Sequence, residues 1–263
     1  MNKKWLLAVL TTLVIAVLAA CGTSEKEEKS GNEGSTEGNK TLIVGTSADY
    51  APFEFVDTAK SDEIIGFDID LIKTIGDKLG YDIQVQNMDF NSLITALQAD
   101  KFDVVISGMT PTEDRDKVVD FSVPYYETEQ YLIFDKEKGY TTPADVKGGV
   151  VGAQVSSIQE DLAKELGEAN GFKVESRNLI PELIQELKTG RFDAAVIENI
   201  VSENYLAQNN DLAAFPIEVE DPDYKAVVFQ EGSELKAEFD KVIEELTADG
   251  TIEELKKKWF VVE

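Results

Sequence analysis

The sequence of 263 residues contains no histidine and a single cysteine, Cys21. Without histidine, the Ser-His and Cys-His pairs of nucleophilic catalysis are excluded, and so are metal sites with histidine ligands. With one cysteine, a disulfide within the chain is impossible, so the stability of the fold must come from packing. We expect no metal and no cofactor.

Basic residues are also scarce, since 25 Lys and Arg stand against 51 Asp and Glu. The formal net charge is −26, and it becomes −28 if a cleaved leader removes Lys3 and Lys4. Nucleic-acid binding needs a basic surface, so this composition excludes that class of protein. The acidity would attract cations only weakly at physiological salt, and we interpret it as solubility of an exported protein.

One long apolar run is present, Trp5–Ala20, and two lysines precede it. A secretory signal peptide typically has a basic start, then an apolar stretch, and small residues just before its cleavage site. The residues Leu18-Ala19-Ala20-Cys21 resemble a bacterial lipoprotein box. This pattern predicts a signal peptide at 1–20 and a lipidated (palmitate-bearing) Cys21, which would tether the folded part to the outside of the cell membrane. The alternative is a plain transmembrane anchor, for which the run is short, because a span needs about 20 apolar residues.

Residues 21–40 follow the cut and lack apolar side chains that could seed a core, which predicts a disordered tether. The folded part begins at Thr41. Helical periodicity follows Asp68 and stops at Gly80, and the strands 82–85 and 102–106 flank a helix at 92–98. Alternating β and α elements imply a mainly parallel sheet with helical crossovers.

A second round of the same pattern begins near Gly149. The segment 93–103 has the form Leu-Ile-x-x-Leu…Phe-Asp, and 183–193 repeats it ninety positions later. The repeat predicts two α/β lobes, although βα units can also resemble each other because they share one physics. Two helices are expected over 234–263, the second beginning with the capping box Thr251-x-x-Glu254.

In open α/β sheets, ligands bind beyond the carboxyl ends of the strands, here at 106–110 and 196–198. Thr110-Pro111-Thr112-Glu113 predicts a helix whose first N–H groups point into this space. Arg115 lies about one turn further, and a guanidinium suits a carboxylate. The alternative is that Arg115 pairs with Glu113, Asp114 or Asp116 on the surface.

A second capping box, Ser157-x-x-Glu160, predicts another helix N-terminus aimed at the same space. Glu198 ends an apolar strand and suits an ammonium group, unless it is a solvated loop glutamate. Tyr50, Phe90 and Glu54 could form an aromatic and acidic wall for a cationic side chain, unless the rings are ordinary core. Together these features describe an amino-acid pocket.

Several motifs are specific to one family: Gly45–Glu54, Gly66–Leu71, Met88–Ile94, Ser107–Arg115, Gln154–Glu160, Arg191–Glu198 and Asp249–Phe260. Through them the chain resembles extracellular solute-binding proteins of family 3, the binding lipoproteins of polar amino-acid ABC importers, most closely the arginine-binding lipoproteins of Gram-positive bacteria. The resemblance implies the type II periplasmic-binding-protein fold, with two α/β lobes joined by two crossover strands near 128–131 and 221–225. Lobe 1 would comprise 41–129 plus 225–263, and lobe 2 would comprise 130–224.

The resemblance also implies the binding site: Ser47, Tyr50, Glu54, Phe90, Ser107, Gly108, Met109, Thr110, Arg115, Gln154, Ser156, Ser157, Ile158 and Glu198. Arg115 and Thr110, with the backbone N–H near Ile158, would hold the ligand's carboxylate. Glu198, with Thr110 and the Gly108 carbonyl, would hold its ammonium group.

Tyr50 and Phe90 would flank the ligand's side chain, and Glu54 would meet its distal charge. Relatives that bind basic amino acids often carry an acid where Ser47 stands, so glutamine or another polar amino acid stays open beside arginine. The implied function is delivery of the amino acid to a permease and its ATPase by a monomer that is not an enzyme. The alternatives are a dehydratase or lyase that uses Glu198 or Glu54 as its acid, and a sensor or adhesin.

Overall fold

The computed structural model describes residues 40–219 and 222–260. The predictions for the signal peptide at 1–20, Cys21 and the tether as far as residue 39 lie outside the described residues. None of the helices in the described part is both long and apolar enough to cross a membrane.

The described residues form strands and helices in alternation. The strands are β1 (Lys40–Thr46), β2 (Asp49–Tyr50), β3 (Glu54–Val56), β4 (Ile64–Ile65), β5 (Tyr81–Asn87), β6 (Val104–Val105), β7 (Val119–Phe121), β8 (Tyr126–Thr128), β9 (Gln130–Asp135), β10 (Val150–Gln154), β11 (Lys173–Arg177), β12 (Ala194–Glu198), β13 (Leu212–Ile217), β14 (Asp223–Lys225) and β15 (Val228–Gln230). The α-helices are α1 (Phe67–Leu79), α2 (Leu93–Gln98), α3 (Ile158–Asn170), α4 (Ile180–Lys188), α5 (Asn199–Gln208), α6 (Leu235–Ala248) and α7 (Thr251–Trp259).

Two five-stranded sheets form the centres of two lobes. The first has the order β5-β1-β6-β15-β7, and the second has the order β11-β10-β12-β9-β13. In the first sheet β1 is parallel to β5 and β6, whereas β15 runs antiparallel to its neighbours. In the second sheet β10 is parallel to β11 and β12, whereas β9 runs antiparallel to β12 and β13. Each sheet is therefore mixed, with a parallel core as predicted.

The chain crosses between the sheets twice. It leaves the first sheet after β7 and reaches β9 through β8, then returns from β13 through β14 to β15. The strands β8 and β14 pair with each other in antiparallel register, Lys225 opposite Tyr126. This arrangement confirms the predicted fold class of two α/β lobes joined by two crossover strands.

Helix α1 shows how the sequence positions the cleft. Its buried residues include Ile69, Ile72 and Ile75, so the apolar spacing predicted the buried face correctly. At its start, Gly66 has a φ of 139°, and a Cβ there would lie 2.0 Å from the Phe53 carbonyl oxygen. The N–H groups of the first two helical residues donate to the carbonyls of Pro52 and Phe53. This close contact fixes the neighbouring Glu54 at the cleft.

The largest difference from prediction lies at 110–118. No helix forms there; residues 113–118 make turns only, and β7 follows at Val119. The reason is that the chain must rejoin the first sheet eight residues after Pro111, which leaves room for little more than one turn. The prediction that free N–H groups of a helix start lie at this position was therefore wrong.

Smaller differences concern element ends. Strand β6 covers only Val104–Val105 of the predicted 102–106, and helix α2 begins at Leu93 after a 3-10 turn. The two C-terminal helices form as predicted. Their junction is capped differently, because the Asp249 carboxylate accepts the N–H of Thr251 at 2.9 Å and its hydroxyl at 2.6 Å.

Candidate functional site

A cavity lined by residues of both lobes lies between the two sheets. It is reached by the carboxyl ends of β1 and β6 on one side and of β10 and β12 on the other. Its lining comprises Ser47, Asp49, Tyr50, Glu54, Phe90, Ser107, Gly108, Thr110, Arg115, Gln154, Ser157, Ile158, Gln159, Glu198 and Lys225. Because parallel neighbours in one sheet end at the same edge, each lobe contributes several of these residues from two adjacent strand ends.

The structure brings together all but two of the fourteen predicted site residues. The Met109 side chain is buried in an apolar cluster with Leu93 and Val105 and does not line the cavity. The Ser156 side chain faces a separate surface depression with Thr112 and Glu160. Their backbones form hydrogen bonds with residues beside the cavity. The Ser156 carbonyl accepts from Arg115, and the Met109 carbonyl accepts from the N–H of Ala226.

Arg115 reaches the cavity as a guanidinium held by backbone carbonyls. Its Nη1 donates to the Thr110 carbonyl at 2.7 Å, and its Nη2 donates across the cleft to the Ser156 carbonyl at 2.9 Å. Its guanidinium carbon lies 5.4 Å from the centre of the Phe90 ring. Burial lowers the pKa of Arg115 to about 10, so the group stays charged at neutral pH.

The surface pairing that was open for Arg115 is not observed. Asp114 pairs with Lys117 at 2.6 Å, and no carboxylate of the described residues forms a salt bridge with Arg115. The charge of Asp161 acts on Arg115 without a salt bridge between them. A half-buried guanidinium that forms no salt bridge offers a site for an anion.

The start of helix α3 lies beside Arg115 in the cavity wall. The Ser157 hydroxyl accepts the N–H of Glu160 at 3.1 Å and donates to the Gln154 carbonyl at 2.7 Å. The helix therefore begins at Ile158 with a capped end, as the capping box predicted. The Glu160 carboxylate accepts from the N–H of Ser156 rather than of Ser157. The first N–H groups of a helix lack intrahelical partners and favour an anion.

Glu198 ends β12 and is fully buried. Its Oε1 accepts from Gln159 at 3.1 Å and from the ammonium group of Lys225. Within the described part of the chain, its Oε2 is buried without a hydrogen-bond partner. Burial raises the pKa of Glu198, and the charge of Lys225 opposes that rise.

Two further acids are buried, Glu54 in the cavity lining and Asp68 outside it. The Glu54 Oε1 accepts the Ser107 hydroxyl at 2.9 Å, while the Asp68 Oδ2 accepts the N–H of Gly108 at 2.8 Å and the Tyr125 hydroxyl at 2.9 Å. Burial, with the charge of Asp68, raises the pKa of Glu54 well above its usual value. Burial raises the pKa of Asp68 to about 6. The second oxygen of each carboxyl group has no partner among the described residues.

Asp49 connects the two lobes. Its Oδ2 accepts the N–H of Ile180 at 2.8 Å and the amide of Gln154 at 3.2 Å, and its Oδ1 accepts the Ser47 hydroxyl at 2.8 Å. Burial raises the pKa of Asp49 to about 6. Ser47, where the resemblance led us to consider an acid, thus donates its hydroxyl to an acid two residues later.

The aromatic wall is built from Tyr50 and Phe90. Tyr50 stacks on Phe53 with ring centres 5.8 Å apart, and Phe53 is entirely buried in the core. The backbone at Gly108 has a φ of +48°, and a Cβ there would lie 3.1 Å from the Tyr50 ring. Glycine thus lets the backbone approach the ring closely.

Three lining residues were not predicted: Asp49, Gln159 and Lys225. Asp49 and Gln159 lie inside motifs that were singled out, and their polar character next to strand or helix ends was the available signal. Lys225 carried no local signal, because a lysine near a strand end usually reaches water. In the described ranges, no cluster of three or more His, Cys, Asp or Glu side chains is arranged to hold a metal ion.

Residues 42–262 match the model of the bacterial extracellular solute-binding proteins, family 3. The chain belongs to this family, whose members bind solutes for transport, and it is not an enzyme. It is 48% identical over 267 aligned positions, covering 99% of each chain, to the arginine-binding extracellular protein ArtP of Bacillus subtilis (strain 168).

Solved structures agree with this assignment. The AbpA substrate-binding protein of Streptococcus pneumoniae bound to L-arginine is 36% identical, with a TM-score of 0.78, over 84% of this chain and 94% of the other. An ancestral arginine-binding protein bound to arginine is 39% identical, with a TM-score of 0.78, over 85% of this chain and 100% of the other. The ancestral protein bound to glutamine is also similar, with a TM-score of 0.76 and 39% identity over 84% of this chain and 97% of the other.

Proposed function

We propose that this protein binds L-arginine between its two lobes and delivers it to an ABC permease driven by an ATPase. One observation carries the proposal: Arg115, which no described carboxylate pairs with, shares a cavity with Glu198, whose Oε2 is unpartnered. The guanidinium and the start of α3 suit an α-carboxylate, and Glu198 suits an α-ammonium group. The two groups come from opposite lobes, so a zwitterion that contacts both would favour closure.

The acids of the cavity support a cationic side chain on the ligand. Asp49 and Glu54 line the cavity beside Tyr50 and Phe90. An aromatic wall next to carboxyl groups stabilises a guanidinium through both its faces and its N–H groups. The similarity to arginine-binding relatives points the same way.

Glutamine is the second candidate ligand. Burial and the charge of Asp68 raise the pKa of Glu54, which favours its protonated form, and a protonated carboxyl group can donate to an amide oxygen. The similarity to a glutamine-bound ancestral structure supports this alternative.

A calorimetric panel of arginine, lysine, histidine, glutamine and the remaining amino acids tests the proposal. Arginine should bind most tightly, and at a hundred times its Kd it should stabilise the fold by about 2.7 kcal/mol. Tighter binding of glutamine would select the second candidate, and no binding of any amino acid would refute the proposal.

We also propose that residues 1–20 are a signal peptide and that Cys21 is lipidated, which would anchor a monomer to the cell membrane of a Gram-positive bacterium. The motif before Cys21 supports this, together with the extracellular character of the family. A labelled fatty acid should enter the wild type and not Cys21→Ala. Equal labelling of the two forms would contradict lipidation at this position.

The lobe limits, 41–129 plus 225–263 and 130–224, belong to the same proposal. Their support is the position of β8 and β14 between the two sheets along the chain. Hydrogen exchange with and without arginine should show new protection at the facing edges of both segments. Protection confined to one segment would contradict two-sided binding.

A further inference from the structure

Lys225 places an ammonium group inside the cavity. Its side chain is 1% exposed, and Glu198 beside it is 0% exposed. The lysine Nζ donates to Glu198 Oε1 and, at 3.0 Å, to the Thr110 hydroxyl. Glu198 and Thr110 are two of the three groups expected to hold the ligand's ammonium group.

The backbone holds Lys225 in this position. Its residue lies on the crossover strand β14, opposite Tyr126 of β8. Its carbonyl accepts the N–H of Tyr125 at 2.9 Å, and the N–H of the next residue, Ala226, donates to the Met109 carbonyl at 3.0 Å. The lysine is therefore attached to the crossover and to the strand end that carries Thr110.

The two oxygens of Glu198 are used differently. Oε1 accepts from both Lys225 and Gln159, whereas Oε2 is buried and has no partner within the described ranges. The two donors therefore hold Oε1, and Oε2 is the oxygen of this carboxylate that they leave without a partner.

We propose that Lys225 is a positioning residue of the ligand site, which keeps Glu198 ionised and turns its Oε2 toward the ligand's ammonium group. This inference rests on the proposed function. A buried carboxylate without a counter-charge favours its neutral form, and a neutral carboxyl group binds ammonium poorly. Lys225 supplies the counter-charge from within the chain, so the site does not depend on the ligand to ionise Glu198.

Other charged groups face Glu198 and must be separated from it in a test. Asp223 lies on the same strand as Lys225, and Tyr50, Tyr125 and Tyr126 approach from the first lobe and the crossover. The tyrosine pKa values are raised by burial, so these hydroxyls stay protonated near neutral pH.

Asp49 and Glu54 in the same cavity titrate in every variant that retains them. Their contribution to the pH profile of binding therefore cancels when such variants are compared.

The test measures arginine affinity by calorimetry from pH 6 to pH 9 for wild type, Lys225→Met, Glu198→Gln and the double variant. Lys225→Met should bind at least tenfold more weakly than wild type at pH 6. Its affinity should recover as pH rises, by at most tenfold per pH unit, because one proton leaves Glu198. The double variant should lack this extra pH dependence, since the glutamine that replaces Glu198 cannot ionise. Lys60→Met, at an 80% exposed side chain, is the control and should bind like wild type.

Three outcomes would overturn the inference. In the first, Lys225→Met binds arginine with the affinity and pH profile of wild type. In the second, Lys225→Met lowers the arginine affinity by the same factor in the wild-type and Glu198→Gln backgrounds, as a purely structural lysine would. If Lys225→Met does not fold, carboxyl carbon NMR of the wild type decides, with the Glu198 signal assigned by its loss in Glu198→Gln. The chemical shift of that signal should remain that of an ionised carboxylate from pH 6 to pH 8. A change to the shift of a protonated carboxyl group in this range is the third contrary outcome. Wild type that binds no amino acid would instead refute the proposed function.

Discussion

Replacement of Arg115 by alanine tests the carboxylate half of the site. In the structure the side chain is anchored at two points, by the Thr110 carbonyl at 2.7 Å and by the Ser156 carbonyl at 2.9 Å. These bonds use one hydrogen from each terminal nitrogen, and a guanidinium has five N–H donors. Enough donors remain to bind both oxygens of a ligand carboxylate.

The magnitude follows from the two bonds that would be lost. A hydrogen bond that involves a charged group contributes about 1.5–3 kcal/mol, so two such bonds contribute about 3–6 kcal/mol. Arg115→Ala should therefore weaken arginine binding roughly a hundredfold to ten-thousandfold. Arg115→Lys keeps the charge but loses the paired geometry and the contact with Phe90. It should weaken binding by roughly ten- to a hundredfold.

Calorimetry with L-arginine on the two variants provides the assay, with a thermal melt to show that both remain folded. Arg191→Ala is a matched control, because its guanidinium is 68% exposed and pairs with Glu186 on the surface. This control should bind like wild type. An Arg115→Ala affinity within twofold of wild type would refute the assignment of the carboxylate to this residue.

Three further predictions concern stability, each measured by urea unfolding. Phe53→Ala removes an entirely buried ring that packs within 5.0 Å of Phe260, centre to centre, and should lower the free energy of unfolding by about 3–5 kcal/mol, where a loss under 1 kcal/mol would contradict its core position. Gly66→Ala should lower it by at least about 1–3 kcal/mol, because the new Cβ meets the Phe53 carbonyl at a φ that other residues avoid, and no loss would argue against that contact. The pKa of Asp49 is raised from 3.8 to about 6. Between about pH 4 and pH 6, the folded state therefore keeps a proton that the unfolded state has released. Above about pH 6, Asp49 is ionised in both states, and its ionisation lowers the free energy of unfolding. Asp49→Asn should accordingly gain on the order of 2–3 kcal/mol relative to wild type between pH 4 and pH 7, and a constant difference would contradict the raised pKa.

Much of the fold was predictable because its signals are local. The spacing of Ile69, Ile72 and Ile75 fixed the buried face of α1, and Gly80 ended that helix in a left-handed conformation. Ser157 capped α3 as its sequence predicted. Most of the cavity-lining residues could then be predicted, because they follow strand ends that local sequence identifies. Parallel neighbours end at the same edge of a sheet, so these residues come together.

The region after Thr110 shows where local signals fail. Its sequence has the features of a helix start, yet residues 113–118 form turns because β7 must join the sheet at Val119. The tertiary requirement outweighs the propensity. One sequence alone does not show how many residues the sheet allows for the connection between Thr110 and β7.

Lys225 and Asp49 show a second limit. Each was missed as a site residue because its role depends on a partner far along the chain, Lys225 on Glu198 and Asp49 on Ile180. Nothing in the neighbouring sequence distinguishes a lysine that pairs with a buried acid from one that reaches solvent. Such pairs are defined by the meeting of the two lobes, which only the fold provides.

In the proposed function, the protein holds both charged ends of an amino acid, one from each lobe. The most direct measurement compares, by calorimetry, L-arginine with agmatine, which lacks the carboxylate, and with N-acetyl-L-arginine, which lacks the ammonium group. Each analogue should bind at least about a hundredfold more weakly than L-arginine, because each loses about 3 kcal/mol of charged hydrogen bonds. Agmatine or the acetylated compound binding as tightly as L-arginine would contradict it.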